Sequence, residues 1–275
     1  MNGSVWLDGR LVPAEAARVS VFDHALLTGD GVFETLRVYG GTPFAVRRHL
    51  DRLARSCAGM DLAGPDPDRL RAALAEVVTA NGIVDGRLRI TVTGGPAPLG
   101  SERGAEGPTT IVAGGPLTRW PATVDVAVVP WPRNERGALA GLKTVSYGEN
   151  VRALAYARER GAEEAVFGNT VGRLCEGTGS NVFLAVAGRL VTPPETAGCL
   201  AGVTRALLLE AGGAEEDDVP LAALHDTDEA FLTSSTREVQ PIASVDGRPL
   251  PAAPGPLTQR AVDTFAAVLR RTMDP

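Results

Sequence analysis

The sequence predicts an α+β fold in two domains. Two observations carry this expectation. Clusters of short strands are interrupted by helices without a steady βαβ rhythm. A Gly/Pro-rich stretch without periodicity, Gly114-Gly115-Pro116 to Trp120-Pro121, divides the chain near its middle. The length of 275 residues suffices for two domains with real cores. The expected boundaries are 1–115 for a small N-terminal domain, 116–122 for a linker and 123–275 for a larger C-terminal domain.

Taken in order, Val5-Trp6-Leu7 meets Leu11-Val12 across Asp8-Gly9, a preferred type I′ hairpin pair. Gly31 to Tyr39 alternates as a strand, turns at Gly40-Gly41 and is expected to return through Pro43-Phe44-Ala45-Val46. Arg47 to Met60 reads as a helix with Leu50, Leu53, Ala54 and Cys57 on one face, and Pro65-Asp66-Pro67 introduces a second helix ending near Ala80. Strands follow at Arg87–Thr93 and Thr109–Val112. Beyond the linker come a strand (Val124–Val129), an Arg-containing loop (Pro130–Ala140) and a helix near Tyr147–Arg160. Short strands lie around Ala165–Phe167, Val182–Val186 and Leu190–Val191. A helix from Val203 to Glu210, a strand at Glu229–Thr233 and a helix near Pro256–Arg271 complete the chain.

Composition excludes several functions. Against 33 acidic residues stand 27 basic ones, for a net charge of −6 without a basic tract, which argues against a nucleic-acid partner. No apolar run approaches the ~18–20 residues of a membrane span, and Met1 to Arg10 lacks a signal-peptide layout. Cys57, Cys175 and Cys199 lack paired spacing, and His24, His49 and His225 are the only histidines, so no metal site is expected. These features predict a cytoplasmic protein with reduced thiols.

The most informative number concerns lysine. All but one of the 27 basic residues are arginine, where average usage predicts about fifteen lysines. A lineage bias explains the replacements, but arginine cannot substitute where a deprotonated primary amine is the nucleophile. The exception, Lys143, stands at a loop-to-helix junction beside Leu139, Ala140 and Leu142, and an apolar setting lowers an ammonium's pKa.

Three further segments stand out. Leu174-Cys-Glu-Gly-Thr-Gly-Ser-Asn-Val-Phe183 sets one carboxylate, Glu176, among small residues before an apolar strand. Gly198-Cys-Leu-Ala-Gly-Val-Thr-Arg205 runs from a glycine turn into a helix, whose N-terminal N–H groups favour phosphate. Leu232-Thr-Ser-Ser-Thr-Arg-Glu-Val239 offers hydroxyls at a strand end.

In this order, with Thr28-Gly-Asp-Gly-Val-Phe-Glu-Thr35 and His49-Leu-Asp-Arg-Leu53 before them, the segments resemble the fold-type IV pyridoxal-phosphate enzymes. These are the branched-chain and D-amino acid aminotransferases and the 4-amino-4-deoxychorismate lyases. The resemblance implies a two-domain fold-type IV architecture, with most of the pyridoxal 5′-phosphate site in the C-terminal domain. It makes Lys143 the Schiff-base and proton-shuttling residue and Glu176 the partner of the pyridine nitrogen. Arg52, Val203, Thr204, Ser235 and Thr236 become phosphate ligands, Leu200 the residue packed on the ring face, and Tyr147 the partner of the ring's 3′ oxygen. A homodimer is implied as well.

On the substrate side the chain departs from the D-amino acid aminotransferases. Phe33 stands where a tyrosine would, and Leu99 and Ser101 stand where an arginine and a histidine would hold the α-carboxylate. Arg103, Arg133 and Arg136 are candidate replacement cations, and Thr35 also points to the pocket. The preferred expectation is a non-canonical aminotransferase acting between a D-amino acid, or an (R)-amine, and a 2-keto acid. The alternative is an aminodeoxychorismate lyase of the folate pathway that releases pyruvate and 4-aminobenzoate; Phe33-Glu34-Thr35 and Arg133-Asn134 resemble that branch.

Overall fold

The computed structural model describes residues 3–275. Its chain divides into two compact units. The first runs to Thr118 and includes Leu142–Tyr147 and Met273–Pro275; the second comprises Arg119–Gly141 and Gly148–Thr272. The lysine segment therefore belongs to the first unit, although the sequence places all of 123–275 in one domain. Local pattern cannot reveal this, because the segment's partner lies over a hundred residues upstream.

In the first unit β1 (Ser4–Leu7) and β2 (Arg10–Pro13) form the expected hairpin, with Asp8 and Gly9 both at positive φ. Then come α1 (His24–Thr28), β3 (Gly31–Tyr39), β4 (Thr42–Pro43), α2 (Val46–Gly59), α3 (Pro67–Ala80), β5 (Gly86–Thr93) and β6 (Thr110–Pro116). Their sheet has the order β2-β1-β6-β5-β3-β4. The expected return strand shrinks to Thr42–Pro43: Ala45 takes a left-handed conformation and α2 starts at once.

Period-2 alternation turns Val32, Glu34, Leu36 and Val38 of β3 to one face. There Val32, Leu36 and Val38 join a core with Leu50 and Leu53 of α2 and Leu70, Leu74 and Val77 of α3. The buried face of α2 is more polar than its spacing suggests, because it also carries His49, Arg52 and Ser56. Ala54, expected inside, is exposed.

The second unit contains β7 (Val124–Val128), α4 (Gly148–Arg158), β8 (Glu164–Gly168), β9 (Leu174–Gly177), β10 (Asn181–Val186), β11 (Arg189–Thr192), α5 (Val203–Glu210), β12 (Glu215–Glu216), α6 (Ala223–Asp226), β13 (Ala230–Ser234), β14 (Glu238–Val245), β15 (Arg248–Pro249) and α7 (Pro256–Arg271). The sheet order is β12-β11-β10-β13-β14-β7-β8-β9, with β15 on β14. Strand β14 has no counterpart in the sequence expectation, because Pro241 interrupts it and prolines rarely occupy central strands. The topology accommodates it. Glu238 to Pro241 pair with β13, and Ile242 to Val245 pair in parallel with β7, so the proline falls where the pairing changes sides.

Candidate active site

Lys143 sits against β3. The Phe33 N–H donates to the Lys143 carbonyl at 2.9 Å, and the Val145 N–H donates to the Gly31 carbonyl at 2.9 Å. The Lys143 N–H donates to Ser56 Oγ at 3.2 Å, which fixes the segment on α2 as well. A Cβ on Gly31 would lie 2.7 Å from the Val92 carbonyl oxygen and 3.2 Å from Val145, so this close approach requires glycine. The lysine amine lies over an aromatic ring, with Nζ 4.5 Å from the Phe33 centroid. Leu139 and Ala140, expected to provide its apolar setting, are exposed. Tyr147 meets the same ring edge-on, with centroids 5.3 Å apart.

A second cation shares that ring. Arg89 of β5 places Cζ 3.7 Å from the Phe33 centroid and donates from Nε to Thr91 Oγ1. Arg89 is not among the residues the sequence singles out; its register opposite Thr35, half-buried on the same face of β3 as Phe33, brings it here.

Behind β3 lies a buried ionic cluster. Arg52 donates from Nε to Glu34 Oε1 at 2.7 Å and from Nη2 to Oε2 at 2.8 Å, and His49 Nδ1 meets Oε2 at 2.7 Å. Burial alone would raise the Glu34 carboxyl. The Arg52 charge and hydrogen bonds, with that of His49, outweigh it and hold the group far below the usual carboxylate range. Burial, opposed by the Glu34 hydrogen bond and reinforced by the Arg52 and Lys143 charges, pushes His49 down.

In the second unit Glu176 lies on β9 opposite Phe167. Its Oε2 accepts the Leu200 N–H at 2.9 Å, and its Oε1 is 3.6 Å from Arg133 Nη2. Asn181 donates to the Leu200 carbonyl at 2.8 Å. A Cβ on Gly202 would fall 1.9 Å from Asn181 Oδ1, so the residue preceding α5 carries no side chain and no side-chain cap closes the helix N-terminus at Val203 and Thr204. Ser235 and Thr236 are half-buried just past the end of β13, in the turn to β14.

Of the three arginines considered as substrate cations, two are otherwise engaged and one faces solvent. Arg103 grips Asp30 through Nε and Nη2, both at 2.7 Å, and also donates to the Met60 and Asp61 carbonyls. Arg133 contacts Glu149, Asn150 and Glu176. Arg136 is 80% exposed beside Glu135. Leu99 and Ser101 both face solvent.

The loop carrying Leu99 and Ser101 is tied to His24. Its Nδ1 lies 2.9 Å from Asp30 Oδ2 and its Nε2 lies 3.0 Å from the Gly100 carbonyl oxygen. Both partners are acceptors, so the doubly protonated ring suits the site, and the Asp30 hydrogen bond followed by that to Gly100 raises the His24 pKa above 6.5. A raised histidine stabilises below its unfolded pKa and loses that contribution as pH rises through the folded one. Amide exchange at Gly100–Glu102 should therefore accelerate above pH 6.5 by more than intrinsic chemistry requires, and His24→Gln should remove the excess. Equal pH dependence in the two proteins would refute this anchoring role.

The first unit thus sets a primary amine against an aromatic ring, and the second holds a carboxylate by a backbone N–H and leaves a helix N-terminus uncapped, where anions are favoured. The chain belongs to the class IV aminotransferases, a pyridoxal-phosphate-dependent family whose model matches residues 31–245. It is 34% identical to a D-alanine aminotransferase from Bacillus licheniformis, over 93% of each protein. It is 32% identical to a bifunctional aminodeoxychorismate lyase / D-amino acid transaminase from Mycobacterium tuberculosis, over 91% of this chain and 93% of that protein. The crystal structure of a branched-chain aminotransferase from Thermoproteus uzoniensis with norvaline superposes with a TM-score of 0.90 at 32% identity, covering 98% of this chain and 95% of that one. These matches establish the expected α+β fold of fold type IV.

Proposed function

We propose that the protein is an aminotransferase moving an amino group between a D-amino acid and a 2-keto acid, with Arg89 replacing the missing carboxylate trap at Leu99 and Ser101. The observation that carries this reading is the pair of cations on Phe33. A carboxylate bound to the Arg89 guanidinium keeps its α-carbon within reach of the Lys143 amine, and both groups belong to the same unit. (R)-amines, which lack that carboxylate, become poorer donors on this reading.

The donor set suits pyridoxal 5′-phosphate. In the second unit the uncapped N-terminus of α5, at Val203 and Thr204, would offer N–H groups to a phosphate, with Ser235 and Thr236 adding donors; Arg52, of the first unit and paired with Glu34, is a phosphate ligand only as the family resemblance implies. When bound, the cofactor supplies an electron sink for charge developing at the substrate α-carbon. Lys143 Nζ is the nucleophilic amine and then holds and moves the α-proton. Glu176 would keep a proton on the ring nitrogen, Tyr147 would orient the 3′ oxygen and Leu200 would pack on the ring. The same reading takes the protein to be a cytoplasmic homodimer.

The lyase is the second reading. It is favoured by the solvent-facing Leu99 and Ser101 and by the two activities named for the Mycobacterium tuberculosis relative. Incubating holoenzyme with D-alanine, D-glutamate, L-leucine or aminodeoxychorismate separates the possibilities. Conversion of the cofactor to its amine form by the D-amino acids supports the proposal. Conversion by L-leucine alone assigns the branched-chain type, and pyruvate release from aminodeoxychorismate without any response to D-amino acids assigns the lyase. Arg89→Gln should raise KM for keto acids by about 10–100-fold, the loss of a charged hydrogen bond, with a smaller change in kcat. An unchanged KM removes Arg89 from the pocket.

A further inference from the structure

We infer that Arg133 is a positioning residue for Glu176, holding its carboxylate charged and oriented so that the proton it shares with a ring nitrogen rests on the nitrogen. This rests on the reading that Glu176 faces the pyridine nitrogen of pyridoxal phosphate.

The guanidinium has an unusual setting. The Arg133 backbone N–H donates to the Gly168 carbonyl at 2.8 Å, which anchors the residue at the end of β8. Its guanidinium lies over the Phe167 ring, Cζ 4.1 Å from the centroid, and Phe167 is the cross-strand neighbour of Glu176. On one side Nη1 donates to Glu149 and, at 3.0 Å, to Asn150 Oδ1. On the other side Nη2 and Nε are buried without a hydrogen-bond partner, and Nη2 stands 3.6 Å from Glu176 Oε1. Asn150 in turn donates to the Thr178 carbonyl, two residues beyond Glu176. The cation is therefore held by its contact with the Phe167 ring and by two partners on its far edge, and Nη2 on its remaining edge lies nearest Glu176.

Such an arrangement has a consequence for a single shared proton. A stationary cation beside Glu176 stabilises the carboxylate relative to the carboxylic acid. Its repulsion of a protonated ring nitrogen would be weaker, because that nitrogen would pair with Glu176 and not with Arg133. The first effect outweighs the second, so the balance favours the proton on the nitrogen. Lysine would restore the charge but not the planar fork. The arrangement also explains why Arg133 is unsuited to the substrate: a second carboxylate would have to displace Glu149 or Glu176.

The test uses holoenzyme loaded with cofactor labelled with ¹⁵N at the ring nitrogen, whose chemical shift reports protonation directly. In Arg133→Gln the shift should move toward the unprotonated value, with kcat falling about tenfold, the equivalent of one pKa unit in proton placement, and KM nearly constant. Arg133→Lys should retain most of the protonated signal; it also carries the test if the glutamine variant does not fold. A wild-type shift in Arg133→Gln overturns the inference. So does loss of the signal in the lysine variant to the same degree, or a raised KM at constant kcat. Glu176→Gln is the control for the underlying reading: if it leaves the shift unchanged, Glu176 does not face the nitrogen and that reading fails independently of Arg133.

Discussion

Lys143→Arg should leave the fold intact and reduce turnover by at least about 10³-fold, because the variant keeps the positive charge and removes the only primary amine of a lysine side chain. The backbone contacts that seat this residue, to Phe33 and Ser56, do not involve its side chain and survive the change. A guanidinium can also replace the ammonium over the Phe33 ring. What arginine cannot do is deprotonate near neutral pH, so it neither attacks a carbonyl carbon nor carries the α-proton. Three measurements check this. Thermal unfolding should be nearly unchanged, and the visible absorbance that borohydride removes from holoenzyme should be absent. Small primary amines added to Lys143→Ala should restore part of the rate. Near-normal turnover in Lys143→Arg would disprove the role assigned to this residue.

Glu34→Ala should cost about 3–5 kcal/mol of stability, as breaking a buried ion pair by removing one partner does. The loss leaves the Arg52 guanidinium and the His49 ring buried without the carboxylate that accepts from both. Glu34→Gln should cost less, because an amide oxygen still accepts one bond. The cluster also fixes an acid limb. A depressed carboxylate contributes stability above its unfolded pKa of 4.5 and loses it as pH falls toward the folded value. His49, held neutral by burial, acts in the same direction below its unfolded value of 6.5. Stability of the wild type should therefore fall from pH 6.5 downward and steeply below pH 4.5, and Glu34→Gln should flatten the lower part of that limb. Urea unfolding at pH 7, 5 and 3.5 measures both quantities. A Glu34→Ala protein within 1 kcal/mol of wild type would show that the cluster contributes little net energy.

Glu34, Arg103 and Arg89 show where local pattern stops. Glu34 alternates with Val32, Leu36 and Val38, so pattern places it inside. That it survives there as a charged group depends on Arg52 and His49, eighteen and fifteen residues away on α2. Arg103 reads as a mobile-loop cation; the fold turns it onto Asp30 and two α2-end carbonyls, and so removes it from the pocket. Arg89 carries no signal in the sequence beyond lying in a strand, and the β3–β5 register sets it on Phe33.

The single lysine, the EGTGSNVF and LAGVTR segments, the opening hairpin and the limits of α5 and α7 were legible in the chain itself. Each rests on local chemistry: a side chain nothing else can replace, a glycine where no Cβ fits, or an apolar period of 3.6. The tertiary structure alone decided which arginine faces Phe33, which one faces Glu176, that β14 runs through a proline, and that the lysine segment pairs with β3. Those outcomes depend on contacts between residues far apart in sequence. Burial turns such contacts into strong charge pairing, and no local pattern encodes them.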